Sequence, residues 1–227
     1  MKELGNKILP PKMKTQAEKE RDEMQLRRLQ TLMDVVYGVL IIRIFLILPQ
    51  PAEVLTEGSD PLLIFSGGKF IMFIIGIILV SIYWFQSNKT NGNLVATDGK
   101  HSFISIVQIL FLLLYFYSID LDSATHSDVL GLFMQSASLA FAGFAGVAGW
   151  IYATKRAGLV SEAITSKEGS EITISVLAEP LAAVFTIPFA FVGPLAWNLS
   201  WLSVIIFRTI MKKRHNKMLK MNSSTNI

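Results

Sequence analysis

Three charged side chains, Asp34, Arg43 and Glu179, lie inside long apolar stretches of this sequence. Charge is unfavourable inside an apolar segment, so such residues often mark ion paths, proton relays or buried ion pairs. Three interpretations of Arg43 stay open. It extends to the nearby membrane surface, since Pro49 is only a few residues away; it pairs with Glu179; or it faces a water-filled path.

The other residues with chemical potential do not form a catalytic pattern. The three histidines fall in different connections and in the tail, at His101, His126 and His215. The sequence has neither a glycine-rich phosphate loop nor an HExxH motif, and no cysteine for thiol chemistry. We therefore expect no enzymatic activity and no metal or other cofactor. Nucleic acid is not expected as a partner either, because the basic residues flank apolar segments.

Composition indicates the elements that must position these charges. Of the 227 residues 52% are apolar and only 17% are charged, well below the quarter that is usual in soluble domains. The pattern predicts an all-α integral membrane protein with six spans, each near the length that crosses a bilayer. These spans are residues 32–49, 70–85, 103–119, 129–153, 172–192 and 194–211. Residues 1–31 would be a charged cytoplasmic lead-in helix, 32–211 the transmembrane domain and 212–227 a cytoplasmic tail.

The distribution of lysine and arginine predicts the orientation of these spans. Residues 1–31 contain eight basic residues and the region from Arg208 onward contains six. The second and fourth connections between spans are also basic, whereas the other connections are mostly acidic or uncharged. Because basic residues are retained on the cytoplasmic side, both termini are expected there.

Several smaller features predict how the spans pack. Pro180 and Pro188 favour a bend in the fifth span, and Gly193-Pro194 favours a tight reversal before the sixth. Small residues recur every fourth position in the fourth span and predict close helix contacts: Ser138, Ala142 and Gly146, with Ala145 and Gly149. Aromatic residues near span ends are typical of an interfacial belt: Tyr83, Trp84, Tyr115, Tyr117, Trp197 and Trp201.

One short motif lies where the first span begins. Arg28 is followed six residues later by Asp34, and Ile82-Tyr83-Trp84 ends the second span. This arrangement resembles the transmembrane protein 175 family, whose signature is an arginine, three variable residues and Phe-Ser-Asp. The chain departs from the signature at Leu32 and Met33, which replace the Phe and Ser. It also has Ser87 and Asn88 where the family has paired histidines.

The resemblance implies a six-helix subunit that assembles as a homotetramer around a potassium-favouring pore. The first helix would line that pore with Val39, Arg43 and Leu46. Arg28, Asp34 and Trp84 would form a structural network that holds the helix. An apolar ring can close a pore by dewetting, but a ring of arginines would favour anions over potassium. The permeant monovalent ion, potassium or an anion, therefore stays open.

The expected function is thus an oligomeric ion channel subunit, multi-pass in the lipid bilayer of a bacterial inner membrane. Two alternatives remain from the residues themselves. Glu179 beside Pro180 would suit a proton-coupled secondary transporter with a broken helix. The chain would otherwise be a non-conducting membrane interaction protein.

Overall fold

The computed structural model describes residues 15–46, 48, 68–125, 128–156 and 159–225, and these are helical apart from short connections. We number the α-helices in chain order: α1 Gln16–Phe45, α2 Gly68–Asn91, α3 Gly99–Thr125, α4 Asp128–Lys155, α5 Ser166–Thr186, α6 Pro194–Ser200 and α7 Ser203–Thr225. A 3₁₀-helix, Ile187–Phe191, follows α5. The described residues contain no β-strand, in agreement with the predicted all-α class.

Four helical stretches in the described part of the chain are long and apolar enough to cross a membrane. They are Gly99–Ile119, Val129–Lys155, Ser166–Phe191 and Pro194–Arg214. Each contains or closely matches one of the predicted third to sixth spans, so the chain is a membrane protein. The predicted first and second spans, 32–49 and 70–85, are helical over 32–45 and 70–85 but are not among the four. Residues 47, 49 and 50–67 lie outside the described residues.

Helix α1 joins the predicted lead-in and the start of the predicted first span into one rod of about 45 Å. It begins at Thr15, whose hydroxyl accepts a hydrogen bond from the Glu18 amide at 3.3 Å. The Glu18 carboxylate in turn accepts one from the Thr15 amide at 2.8 Å. This capping box satisfies amides that would otherwise lack partners in the first turn. An identical box at Thr165 and Glu168 starts α5.

The reversal predicted at Gly193-Pro194 is present in the structure. Gly193 has φ of +138°, a backbone conformation that side-chain-bearing residues rarely adopt. The chain that follows, α6 and α7, packs back against α5 and the 3₁₀-helix. A second interruption at Trp201 and Leu202, which the sequence pattern does not indicate, separates α6 from α7.

The helices pack around two apolar clusters. In the larger one, α1 contributes Tyr37, Leu40 and Ile44 and packs against α2 and α3, while α4 supplies further members such as Leu139. The smaller cluster lies near the connections after α2 and α4 and includes Trp150 and Leu159. There the Val95 amide donates to the Leu159 carbonyl at 2.9 Å, and the Ser161 amide to the Asn93 carbonyl at 3.0 Å. This pairing holds the two connections together at one end of the bundle.

Candidate functional site

Helix α1 has one buried face and one face that the protomer leaves uncovered. Met33, Tyr37, Leu40 and Ile44 recur every third or fourth residue and are almost fully buried against α2 and α3. On the other side of the helix, Val39 is 47% exposed, Leu46 is 57% exposed, and Arg43 is exposed between them. The three predicted pore-lining residues thus lie together on the uncovered face.

Polar contacts of the buried face fix the rotation of α1. The Tyr37 hydroxyl donates to the Tyr83 carbonyl of α2 at 3.2 Å, and the Tyr83 hydroxyl donates to the Leu139 carbonyl of α4 at 2.7 Å. The side-chain amide of Gln30, two turns before Tyr37 on α1, donates to the backbone carbonyl of Asn91 at 2.9 Å. Turning α1 so that Arg43 faced the core would break these bonds. The packing therefore holds Arg43 outward.

Two of the three predicted network residues are in contact. The Trp84 indole N–H of α2 donates to the Asp34 carboxylate of α1 at 3.3 Å, although the two residues are far apart in sequence. Arg28 is exposed on α1, and the described residues show no hydrogen bond or ion pair that joins it to Asp34 or Trp84. The structure thus brings Asp34 and Trp84 together and leaves Arg28 apart from them.

Glu179, on the proline-bearing helix α5, is only 1% exposed and has an arginine partner. That partner is Arg208 of α7, whose Nε lies 2.9 Å and whose terminal nitrogen lies 2.5 Å from Glu179 Oε1. The predicted ion pair between Arg43 and Glu179 is therefore wrong. Arg208 binds the Glu179 carboxylate, whereas Arg43 lies on the outward face of α1. The other carboxylate oxygen, Oε2, lies near the Gln86 side chain and has no hydrogen bond of ordinary geometry among the described residues.

The helix that carries Glu179 continues through Pro180 and tightens only at Pro188. Pro188 stands in the first turn of the 3₁₀-helix that continues α5, and its missing N–H cannot donate to the preceding turn, in agreement with the change of helix type there. Pro180 packs against Gly143 of α4: a Cβ added at Gly143 would lie 2.8 Å from the proline ring. Close contact between α4 and α5 therefore depends on Gly143, which is not one of the small residues highlighted by the sequence pattern.

Three hydroxyl and indole groups connect α4, α5 and α6 in the interior. The Trp197 indole donates to Ser136 Oγ at 2.7 Å, and the Ser136 and Thr186 hydroxyls are 2.7 Å apart. The Thr186 hydroxyl then donates to the Ala183 carbonyl. Trp197 is thus a buried structural residue, and Tyr83, Tyr115 and Trp201 are buried as well. The predicted interfacial belt is wrong for these four aromatic residues.

A polar cluster occupies the end of the bundle where the two connections pair. Asp98 caps α3 by accepting from the His101 amide at 2.9 Å, and its other oxygen accepts from the Tyr152 hydroxyl at 2.7 Å. Arg156 lies 3.6 Å from the same oxygen. Partial burial alone would raise the pKa of Asp98, but the two hydrogen bonds and the Arg156 charge lower it below the usual value. The cluster links α3 to α4 and has the character of a structural site.

Nowhere in the described ranges do three or more histidine, aspartate or glutamate side chains gather closely enough to hold an ion. The two features with functional potential are the exposed face of α1, where Arg43 lies among apolar side chains, and the ion pair between Glu179 and Arg208 in the interior. No family model, curated protein or solved structure matches this chain, so the resemblance to the transmembrane protein 175 family remains a sequence-based prediction.

Proposed function

We propose that this chain is one subunit of a homo-oligomeric, passive ion channel whose pore is lined by α1. The uncovered α1 face with Val39, Arg43 and Leu46 carries this proposal. Six spans, cytoplasmic termini, a tetramer and a bacterial inner membrane are the further parts of the proposal. Their support is the hydropathy pattern, the placement of basic residues and the resemblance to a channel family.

Charge on the uncovered face favours a pore over a surface that contacts only lipid. An arginine within a span costs about 2.5–3.5 kcal/mol on insertion scales, and that penalty falls where the guanidinium meets water. If several copies place this α1 face around one axis, Arg43 lies in an aqueous path. Val39 and Leu46, about one turn to either side, would then form apolar rings of the kind that close pores by dewetting.

The same geometry favours anions over potassium. Arg43 is held outward by the packing of α1, so an axial assembly repeats its positive charge around the path. A ring of positive charge raises a barrier to cations and attracts anions. The proposed architecture therefore follows the resemblance, while the proposed selectivity departs from it.

The position of Glu179 favours a channel over a proton-coupled transporter. A carboxylate that carries protons must exchange them with water, whereas Glu179 is only 1% exposed and its Oε1 is held by the Arg208 guanidinium. A structural role that joins α5 to α7 agrees better with this contact. Glu179 would then support the subunit from a distance without taking part in permeation.

Ion flux from liposomes that contain the purified protein tests the proposal. We expect passive flux with chloride more permeant than potassium. Arg43→Leu should lower the chloride-to-potassium ratio about tenfold or more, because charged linings change local ion concentrations by that order. Arg27→Leu, which removes an exposed arginine from the lead-in part of the same helix, should leave the ratio unchanged. Absence of flux from folded protein would refute the proposal, as would uphill pH-driven uptake that Glu179→Gln abolishes.

A further inference from the structure

A cleft of about 520 Å³ opens between α2, α5 and α7, and none of its described lining residues belongs to α1. Its lining includes Gln86 and Lys89 from α2, Glu171 from α5, and Arg208 and Lys212 from α7. The cleft is partly open and is lined by both polar and apolar side chains. It therefore has the size and the side chains to accept a small charged group.

Positive charge predominates among the side chains that line this cleft. Arg208 is held on one side by Glu179 and is itself about half exposed, so its remaining N–H groups face the opening. Lys89 and Lys212 add two ammonium groups, and neither takes part in an ion pair within the described residues. Glu171 is the single acidic residue among the described lining residues. Since Glu179 and Arg208 offset each other, the lining keeps a net positive charge.

A buried amide adds a neutral hydrogen-bond donor to the lining of the cleft. Gln86 is 8% exposed, lines the cleft, and its Nε2 has no hydrogen-bond partner among the described residues. It lies close to the Glu179 carboxylate but makes no hydrogen bond of ordinary geometry with it. Buried amide donors are nearly always satisfied in folded proteins, so Gln86 Nε2 is available either to Glu179 Oε2 or to an anionic oxygen in the cleft.

The surroundings of the cleft indicate where that oxygen comes from. Lys89 lies in the last turn of α2, and Lys212 lies four residues after Arg208 on α7, next to Lys213 and Arg214. Phe85, on the rim, is 64% exposed and provides an apolar wall toward the lipid side. Basic clefts between helices at a membrane boundary are typical sites for lipid headgroups. Phosphate oxygens suit these donors, because arginine, lysine and amide N–H groups all bind them.

We propose that this cleft binds a phosphate group, with Lys89, Arg208 and Lys212 as its cationic contacts and Gln86 as a neutral donor. The phosphate belongs either to a phospholipid headgroup or to a soluble phosphate. The site is separate from the proposed pore and does not depend on it. Arg208 would serve both as the partner of Glu179 and as a contact of the phosphate.

Thermal unfolding of the purified protein in a neutral detergent, followed by tryptophan fluorescence, measures this binding. The probes are inorganic phosphate, short-chain phosphatidic acid and short-chain phosphatidylcholine, titrated at constant ionic strength. We expect a saturable rise in Tm with a phosphate-bearing probe. In a Lys89→Gln/Lys212→Gln variant the apparent affinity should fall about tenfold or more, as expected when charge-assisted hydrogen bonds are lost. Lys213→Gln, the same change at the adjacent residue, should leave the affinity unchanged.

Two further comparisons decide the source of the phosphate and the role of the amide. A response to inorganic phosphate identifies a soluble ligand, whereas a response to the lipids alone identifies a headgroup. Gln86→Leu should weaken binding while leaving the ligand-free Tm equal or higher, because it removes an unsatisfied buried donor. The proposal is overturned if no probe gives a saturable shift with the wild type. It is equally overturned if the double lysine variant and Lys213→Gln bind alike.

Discussion

At the residue scale, the buried charge of Glu179 is paired with Arg208, which lies on the other side of the chain reversal at Gly193. Glu179 and Arg208 lie at nearly equal distances along the chain on either side of that glycine, so the returning helix brings them together. The sequence indicated Glu179 as a residue of interest but offered Arg43 as its partner. Because Arg208 lies near the end of the last apolar stretch, the sequence pattern groups it with the basic residues of the tail. Its spacing from Gly193 is the signal that would have identified the pair.

The pair predicts an asymmetric response to mutation. Arg208→Leu leaves the Glu179 carboxylate buried without its counter-charge, so we expect a loss of about 3–5 kcal/mol in the free energy of unfolding. Adding Glu179→Gln to that variant should recover part of the loss, because the uncompensated charge is removed. Chemical unfolding in detergent measures both effects. Lys213→Leu serves as the control on an exposed face of α7. An equal effect of Arg208→Leu and Lys213→Leu would contradict the assignment.

Asp98 predicts a dependence of stability on pH. Its pKa in the folded protein lies below the ordinary value of 3.8, owing to the His101 and Tyr152 hydrogen bonds and the Arg156 charge, which outweigh partial burial. The stabilisation is therefore complete above the ordinary pKa and is lost as the pH falls toward the lower folded value. Between about pH 5 and pH 3, wild-type Tm should fall more than that of Asp98→Asn. Parallel curves for the two proteins would show that the carboxylate adds no such stability.

At the element scale, the contact of α4 with α5 depends on a glycine opposite a proline. A methyl group at Gly143 would meet the rigid Pro180 ring at 2.8 Å, which neither helix can relieve without moving. We expect Gly143→Ala to lower the free energy of unfolding by about 1–3 kcal/mol, as overpacked cores do. Gly38→Ala is the matched control, since a Cβ there has nothing within 4 Å. Similar stability of the two variants would mean that the helices do not approach this closely.

The sequence predicted where the membrane-spanning helices lie better than it predicted where each helix begins, ends or is interrupted. Hydropathy located the third to sixth spans, because long apolar runs have few alternatives to a membrane helix. The interruption at Trp201 and Leu202 has no glycine or proline to announce it, so local sequence could not reveal it. The lead-in and the start of the first span form one helix, α1, because no proline and only one glycine, Gly38, occurs between Gln16 and Phe45.

At the scale of the whole molecule, fold class followed from composition, whereas the packing partners did not. An apolar helix in a membrane shows the same composition whether it faces lipid, protein or a pore, so sequence alone could not say which α1 residues are uncovered. The buried positions of Tyr83 and Trp197 show the same difficulty, because an aromatic residue near a span end also suits the membrane surface. Hydrogen bonds between residues far apart in sequence hold Tyr83 and Trp197 in the interior, and such bonds form only in the folded chain.

Exposure in the single chain does not distinguish a pore-facing residue from a lipid-facing one. Val39 on α1 and Leu110 on α3 are similarly exposed in the single chain, at 47% and 58%. Under the proposed assembly the first faces an aqueous pore and the second faces lipid or a neighbouring subunit. The chain contains no cysteine, so a single introduced thiol can report on each position without background.

Modification by a charged, membrane-impermeant thiol reagent tests the pore-lining role of α1 most directly. The reagent attacks the thiolate, which forms readily in water and poorly in an apolar environment. With Val39→Cys in liposomes, we predict rapid modification and a simultaneous change in ion flux. With Leu110→Cys, neither should occur. Equal reactivity at the two positions, or modification of Val39→Cys without any effect on flux, would contradict a pore lined by α1.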